Sequence, residues 1–140
     1  MALKTYSGSC HCGAVRFQAD IDLGAGTNKC NCSICAKARA WFAIVKAEQF
    51  RLIEGSEVLA EYQWTPPGRP HPFLHYYFCR TCGIRAFARG GQESQKDAFI
   101  AVPVTSLDDA DPDELAAAPV RYVDGRHDHF DQPPADTRLM

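Results

Sequence analysis

The sequence lacks any apolar run approaching the roughly 20 residues that a membrane-spanning helix needs. Its first residues also lack the apolar stretch of a secretory signal peptide. There is no basic excess, since 15 Lys and Arg residues face 17 Asp and Glu residues. The chain therefore has no excess of positive charge with which to neutralise nucleic-acid phosphates. A Gly-rich phosphate loop and the nucleophile elbow of a hydrolase are missing as well. These absences predict a cytoplasmic protein that binds neither a membrane nor a nucleic acid.

Length and composition predict one globular domain over residues 1–140. The chain of 140 residues is 46% hydrophobic and 23% charged, which is typical of a folded domain and too short for two ordinary ones. No change of composition marks a boundary within it. Residues 124–140 are polar and contain proline, so we expect them to form an extended C-terminal tail over the surface.

Short stretches of alternating or wholly apolar residues predict a mostly β fold with one or two short helices. Apolar and polar residues alternate with period two in two of them, as in half-buried strands. The expected strands are 15–21, 41–45, 58–64, 73–78, 99–104 and 120–123. Asp111 and Pro112 predict the start of a helix that ends before Pro119. A turn or two of helix is expected from Cys32 or Ser33 toward Arg39, and a polar loop at 88–97.

Cysteine is the residue that the sequence has in unusual supply. There are seven, an odd number, in a chain without a signal peptide, which fits a disulfide framework poorly. They fall in close groups, at positions 10, 12, 30, 32, 35, 79 and 82. Close pairs are typical of metal sites, because two ligands a few residues apart already supply half of a tetrahedron.

Two of these groups have the same form. Cys10 and Cys12 precede a glycine and an expected strand, and Cys79 and Cys82 do the same. Glycine tolerates positive φ, which frees backbone N–H groups to point at the thiolates. Four thiolates close a tetrahedron around Zn²⁺, so these residues predict a structural zinc site. The alternative is four free buried thiols that act as small apolar residues.

The other three cysteines form a separate cluster. Cys30 and Cys32 converge if the chain is extended, and Cys32 and Cys35 converge on a helical turn. Three protein ligands leave one zinc position open, which is typical of a catalytic site. Two alternatives stay open: a second structural site whose fourth ligand is a histidine (His11, His71 or His75), or a metal-free redox thiol cluster.

The net charge of a zinc with three thiolate ligands limits the reactions that such a site can support. Zinc with three thiolates carries one net negative charge, so it polarises water weakly and suits a further sulfur ligand. A cellular thiol bound there as thiolate is nucleophilic and can attack an aldehyde. An anionic thiol such as glutathione needs local cations, for which Lys37 and Arg39 are the candidates beside this cluster. Arg80 and Arg85 lie beside the other one.

Three stretches together carry a resemblance to a known family. They are Ser-Cys-His-Cys-Gly-Ala-Val-Arg-Phe at 9–17, Cys-Asn-Cys-Ser-Ile-Cys at 30–35 and Phe-Cys-Arg-Thr-Cys-Gly at 78–83. In order and spacing they resemble the glutathione-dependent formaldehyde-activating enzymes, also called the centromere-protein-V family. The resemblance covers nearly the whole chain. The segment 121–130 departs from the C-terminal pattern of the formaldehyde enzyme, which leaves the aldehyde open.

The resemblance implies a fold, two zinc sites and an activity. The fold would consist of several small, coiled, mostly antiparallel sheets, like that of Rab guanine-exchange chaperones. The four-cysteine set would hold the structural zinc and the three-cysteine set the second one. The activity would be that of a carbon–sulfur lyase that joins formaldehyde to glutathione, so its partners would be a small thiol and an aldehyde. The alternatives are a non-catalytic, zinc-stabilised protein-binding module and a thiol redox or metal sensor.

Overall fold

A computed structural model describes residues 3–72, 74–91 and 98–140. Within these residues the chain forms ten strands and two short α-helices. The strands are β1 (Lys4–Ser9), β2 (Arg16–Ile21), β3 (Thr27–Cys30), β4 (Trp41–Lys46), β5 (Phe50–Glu54), β6 (Leu59–Trp64), β7 (Leu74–Cys79), β8 (Arg85–Gly90), β9 (Phe99–Pro103) and β10 (Val120–Val123). The helices are α1 (Ser33–Ala38) and α2 (Pro112–Ala117).

The strands form a small sheet and a large one. The small sheet has the order β1-β2-β5 and is antiparallel. The large sheet has the order β10-β3-β4-β9-β8-β7-β6. It is antiparallel except at one edge, where β10 runs parallel to β3 and pairs Val123 with Cys30. This parallel pair brings the C-terminal part of the chain beside the first cysteines of the three-cysteine stretch.

The core lies between the two sheets. Strand β2 alternates as its sequence predicts, with Phe17, Ala19 and Ile21 buried and the intervening side chains more exposed. The ring of Phe50 on β5 stacks on Phe17 and also touches Phe87 of the large sheet, with ring centroids 5.3 and 4.5 Å apart. The small sheet therefore covers one face of the large sheet.

No sheet formed by the described residues covers the other face of the large sheet. On β4, Ala43 and Val45 point into the core, whereas Phe42 and Ile44 point to the opposite side. That side lines a cleft, so the same alternation that builds the core also supplies an apolar wall for a ligand.

The mostly β fold with two short helices is confirmed, although its strands form two sheets rather than several small ones. The expected strand positions agree to within a residue or two, and β7 begins at Leu74, since residue 73 lies outside the described residues. The loop expected at 88–97 is wrong for 88–90, which belong to β8, and 92–97 are not described. Strands β1, β3 and β5 were not expected, because β1 and β3 are short and largely polar and the sequence of β5 does not alternate strictly. The single domain over 1–140 stays a prediction.

No helix within the described residues is long and apolar enough to cross a membrane.

Candidate functional site: two cysteine clusters and a cleft

The first cluster lies where two hairpin turns meet. Cys10 and Cys12 stand in the turn between β1 and β2, in the small sheet. Cys79 ends β7, and Cys82 stands in the turn that leads to β8, in the large sheet. The four sulfurs lie within 4.8 Å of one another. A metal held here would tie the two sheets together.

The spacing of these sulfurs fits a tetrahedral zinc. The Cys12 sulfur lies 3.6 Å from the Cys10 sulfur and 3.6 Å from the Cys79 sulfur. A Zn–S bond of about 2.3 Å gives a tetrahedral S···S edge of about 3.8 Å. The donor set and its geometry therefore suit Zn²⁺, and metal binding by these residues remains a prediction.

Backbone N–H groups point at the sulfurs, as the glycine after each pair predicts. Gly13 and Gly83 have φ values of 81° and 75°, in the left-handed region. The N–H of Val15 donates to the Cys10 sulfur at 3.3 Å. Hydrogen bonds from the backbone at Cys12 and Ile84 lower the pKa of Cys82 to about 6, which favours the thiolate that a metal requires.

The second cluster forms at the junction of β3 and α1. Cys30 is the last residue of β3, Cys32 caps the N-terminus of α1, and Cys35 lies on its first turn. The extended-then-helical backbone brings the three sulfurs within 4.8 Å of one another, as the spacing predicts.

Electrostatics indicate that this cluster needs a cation to ionise fully. Hydrogen bonds from the Cys32 and Cys35 thiols, with help from the backbone of Cys32 and Gly125, lower the pKa of Cys30 to about 3. Its negative charge then opposes ionisation of the others, and the pKa values of Cys32 and Cys35 are raised. Three thiolates at one point are stable only around a positive ion, so the chemistry of the donor set fits a metal.

The C-terminal segment folds over this cluster. The extended surface tail expected for 124–140 is therefore wrong for the first residues of that segment. The Asn31 amide donates to the buried Asp124 carboxylate at 2.9 Å, and the Arg126 N–H donates to the Asn31 side chain at 2.9 Å. Backbone hydrogen bonds from Asp124 to Gln132 and from His129 to Asp124 then turn the chain back. The parallel β10–β3 pair imposes this course, because it delivers residue 124 next to Asn31.

Gly125 packs directly against the cluster. A Cβ at this position would lie 2.4 Å from the Cys30 sulfur and 3.3 Å from the Cys32 Cβ. Only glycine allows the backbone to approach the sulfurs this closely. Sequence reasoning missed the roles of Asn31, Asp124 and Gly125, because their contacts join residues more than 90 positions apart.

A cleft of about 620 Å³ opens beside the second cluster. All three of its cysteines line the cleft, and none of the four cysteines of the first cluster does. The walls also carry a group of large apolar side chains: Trp41, Phe42, Ile44, Trp64, Leu74, Tyr76, Ile84, Phe87, Phe99 and Phe130. The volume falls within the range of about 300–1,000 Å³ that is usual for small-molecule sites.

Four arginines stand around the cleft. Arg39, Arg85 and Arg121 line it, and within the described ranges none of the three forms an ion pair with an acid. Arg121 donates to the neutral Asn28 side chain at 3.0 Å, and Arg85 lies over the Tyr76 ring at 4.4 Å. The fourth arginine of the wall, Arg69, is paired with Asp128 at 3.1 Å. The cleft therefore presents a net positive rim that suits an anionic ligand.

Of the two residues predicted to bind a thiol beside the second cluster, one lines the cleft and the other does not. Arg39, in the left-handed conformation after α1, lines the cleft, whereas Lys37 does not. Arg85 also lines it, and Arg80 does not. Their roles in binding a thiol remain predictions.

Tyr76 on β7 faces the second cluster across the cleft. The residue is only 3% exposed, and its hydroxyl has no hydrogen-bond partner among the described residues. Burial raises its pKa, and the charges of Cys35 and Cys32 raise it further. Tyr76 and all three cysteines of the second cluster line the same cleft.

No histidine joins either cluster within the part of the chain that the structure describes. His75 lies 3.5 Å from Glu61, and His71 is exposed beside Pro72. His127 and His129 contact the Asp124 carboxylate, at 2.9 and 3.7 Å, instead of facing solvent alone. The geometry therefore gives no support to a histidine as fourth ligand of the second cluster.

Comparison with known proteins agrees with the arrangement of the cysteines. The sequence model of the family described as "glutathione-dependent formaldehyde-activating enzyme" matches residues 5–124. The chain belongs to this family. A crystal structure of a Rhodobacter sphaeroides protein is similar, with a TM-score of 0.64 and 28% sequence identity over 82% of this chain and 99% of that one. As a member of the family, the chain has two cysteine clusters that can each hold a metal ion.

Proposed function

We propose that the protein is a zinc-dependent carbon–sulfur lyase, which adds a small aldehyde to glutathione or a related thiol, or removes it. The observation that carries this proposal is the difference between the two clusters. Three convergent thiols line a ligand-sized cleft, whereas the four-thiol cluster does not open onto it. Membership of the family supports the same assignment.

The four-thiol cluster serves structure in this proposal. Cys10, Cys12, Cys79 and Cys82 supply all four positions of a tetrahedron and leave no room for a substrate. Cys30, Cys32 and Cys35 would hold a second zinc and leave one position facing the cleft. When bound there, zinc would stabilise the thiol substrate as its thiolate, which is the nucleophilic form.

The residues of the cleft position the thiol and exclude water. Arg39 and Arg121 carry positive charge beside the second cluster, where carboxylates of a thiol such as glutathione can pair with them. The apolar walls lower the local dielectric, which strengthens those pairs.

The reaction balances without a further reagent. The thiolate sulfur attacks the aldehyde carbon, a carbon–sulfur bond forms, and the carbonyl π electrons move to oxygen. The oxygen takes up one proton, equivalent to the one that the thiol lost. The product is a hydroxyalkyl thioether, and the reverse sequence releases the aldehyde.

Exchange spectroscopy with carbon-13 formaldehyde and glutathione tests the proposal. Micromolar zinc-loaded protein should accelerate the exchange above its uncatalysed rate, and Cys32→Ser should lose at least about 100-fold of that acceleration while keeping its fold. No acceleration would sink the formaldehyde reaction. A protein partner bound equally well by Cys32→Ser would favour a binding module, and reversible zinc loss on mild oxidation would favour a redox sensor.

A further inference from the structure

The cleft is larger and more apolar than a one-carbon aldehyde requires. Formaldehyde has two heavy atoms, and the cleft of about 620 Å³ is of the size that takes ligands of drug-like dimensions. Glutathione alone would fill part of it, but glutathione is a polar peptide with charged ends. Its chemistry complements the arginines and leaves the apolar wall without a matching partner.

The apolar side chains of the wall are unusually exposed for their type. Ile44, Ile84 and Phe130 are 46%, 44% and 49% exposed, and all three line the cleft. Exposed apolar residues scattered singly carry no meaning, but residues gathered in one concave site indicate an apolar ligand. Trp64, Leu74 and Phe99 continue the same wall on β6, β7 and β9.

Charged and apolar side chains line the same cleft, and two of the arginines lie beside the second cluster. Arg39 follows α1 and Arg121 lies on β10, so both stand on the side of the second cluster. Trp64 and Leu74 lie on β6 and β7, toward the other edge of the large sheet, and Phe99 lies on the central strand β9. A ligand whose sulfur lies at the cluster would thus place its carboxylates near the arginines and the group attached to sulfur near the apolar wall.

We propose that the carbonyl partner of this protein is a large apolar aldehyde, aromatic or branched, joined to an anionic thiol. This inference rests on the thiol–aldehyde chemistry of the proposed function and replaces its small aldehyde with a larger, apolar one. The product would be a thioether with an anionic part and an apolar part. Formaldehyde, which supplies no apolar part, would not be the substrate that fits the cleft best.

Calorimetric titration of the zinc-loaded protein with S-methylglutathione and S-benzylglutathione tests this inference without requiring turnover. The two ligands share the peptide and differ in the group on sulfur. Burying a phenyl ring in the apolar wall should make S-benzylglutathione bind about 10- to 100-fold more tightly. Equal affinities, or binding of neither ligand, would overturn the inference, and the proposed function would then be decided by the exchange experiment alone.

Two matched pairs of variants assign the effect to the cleft. Ile44→Ala should weaken S-benzylglutathione several-fold and leave S-methylglutathione unchanged. Ile53→Ala is the control, because Ile53 is 52% exposed on β5 and does not line the cleft. Arg39→Met should weaken both ligands alike, about 10-fold, and Lys37→Met neither.

Sedimentation of the free protein completes the test. If Ile44, Ile84 and Phe130 serve contacts between two copies of the chain, the protein should be a dimer that Ile44→Ala dissociates. That result would overturn the inference, and a species whose mass is unaffected by Ile44→Ala supports it.

Discussion

The two cysteine clusters are built from the same side chain and differ in almost everything around it. The first cluster joins two hairpin turns from different sheets, and backbone N–H groups surround its sulfurs. The second cluster lies at the end of one strand and the start of one helix, and its sulfurs line a cleft. The comparison shows that one kind of side chain can build two different sites, and our proposal assigns a structural role to the four-thiol site and a functional role to the three-thiol site.

The largest expected effect comes from breaking the first cluster. Cys79→Ser should lower the free energy of unfolding by more than about 4 kcal/mol, because loss of the metal would free the small sheet from the large one. Urea unfolding followed by circular dichroism measures this. The control is Cys32→Ser in the second cluster, for which we expect a loss of less than about 2 kcal/mol. Equal losses in the two variants would contradict the division of roles.

Gly125→Ala tests how the C-terminal segment packs on the second cluster. A methyl group 2.4 Å from the Cys30 sulfur must push the C-terminal segment away from the second cluster. We expect a loss of about 1–3 kcal/mol of stability, as for overpacking, and faster removal of metal from that cluster by a chelator. Gly68→Ala is the control, since its Cβ would have nothing within 4 Å and its φ of 84° tests backbone strain alone. A metal-release rate identical to that of the unsubstituted protein would show that the segment does not close the site.

These contacts also show how far the sequence alone could lead. The partition of the cysteines was predictable because each group is a local motif, and spacing determines which sulfurs converge. The contact of Asn31 with Asp124 was not, because it joins residues 93 apart through a parallel strand pair that no local pattern announces. The place of Tyr76 in the cleft was not predictable either, since alternation shows that it shares a face with Leu74 but not that this face lines a cleft.

Tyr76→Phe tests whether the buried Tyr76 hydroxyl, which lines the cleft, lowers the stability of the protein. Its buried hydroxyl has no partner among the described residues, so removing it should leave the free energy of unfolding unchanged or raise it by up to about 1 kcal/mol. Tyr6 is a matched control, equally buried but donating to Glu114. Tyr6→Phe should cost about 1 kcal/mol, and thermal unfolding of both variants decides. A loss for Tyr76→Phe as large as for Tyr6→Phe would reveal a structural hydrogen bond at Tyr76.

The smallest effect is expected for an ion pair outside both cysteine clusters, between Asp20 and Arg51. Hydrogen bonds from Arg51 and Thr5 lower the pKa of Asp20 from 3.8 to about 2. Because the folded-state value is depressed, the ion pair stabilises the small sheet above pH 3.8, and this contribution is lost as the pH falls through about 2. The difference in urea midpoint between the unsubstituted protein and Asp20→Asn should be constant near neutrality and decline steeply as the pH falls from 3.8 to about 2. A difference that persists at pH 2 would argue against this ion pair.

The central claim is that one cluster is closed and structural while the other is open and functional. Elemental analysis of protein purified under reducing conditions without chelator, followed by timed zinc release to a graded chelator, tests it most directly. The account predicts two zinc ions per chain, one released readily and one retained until the protein unfolds, with the labile ion absent from Cys32→Ser. A single tightly held zinc per chain, or two ions released at the same rate, would contradict it.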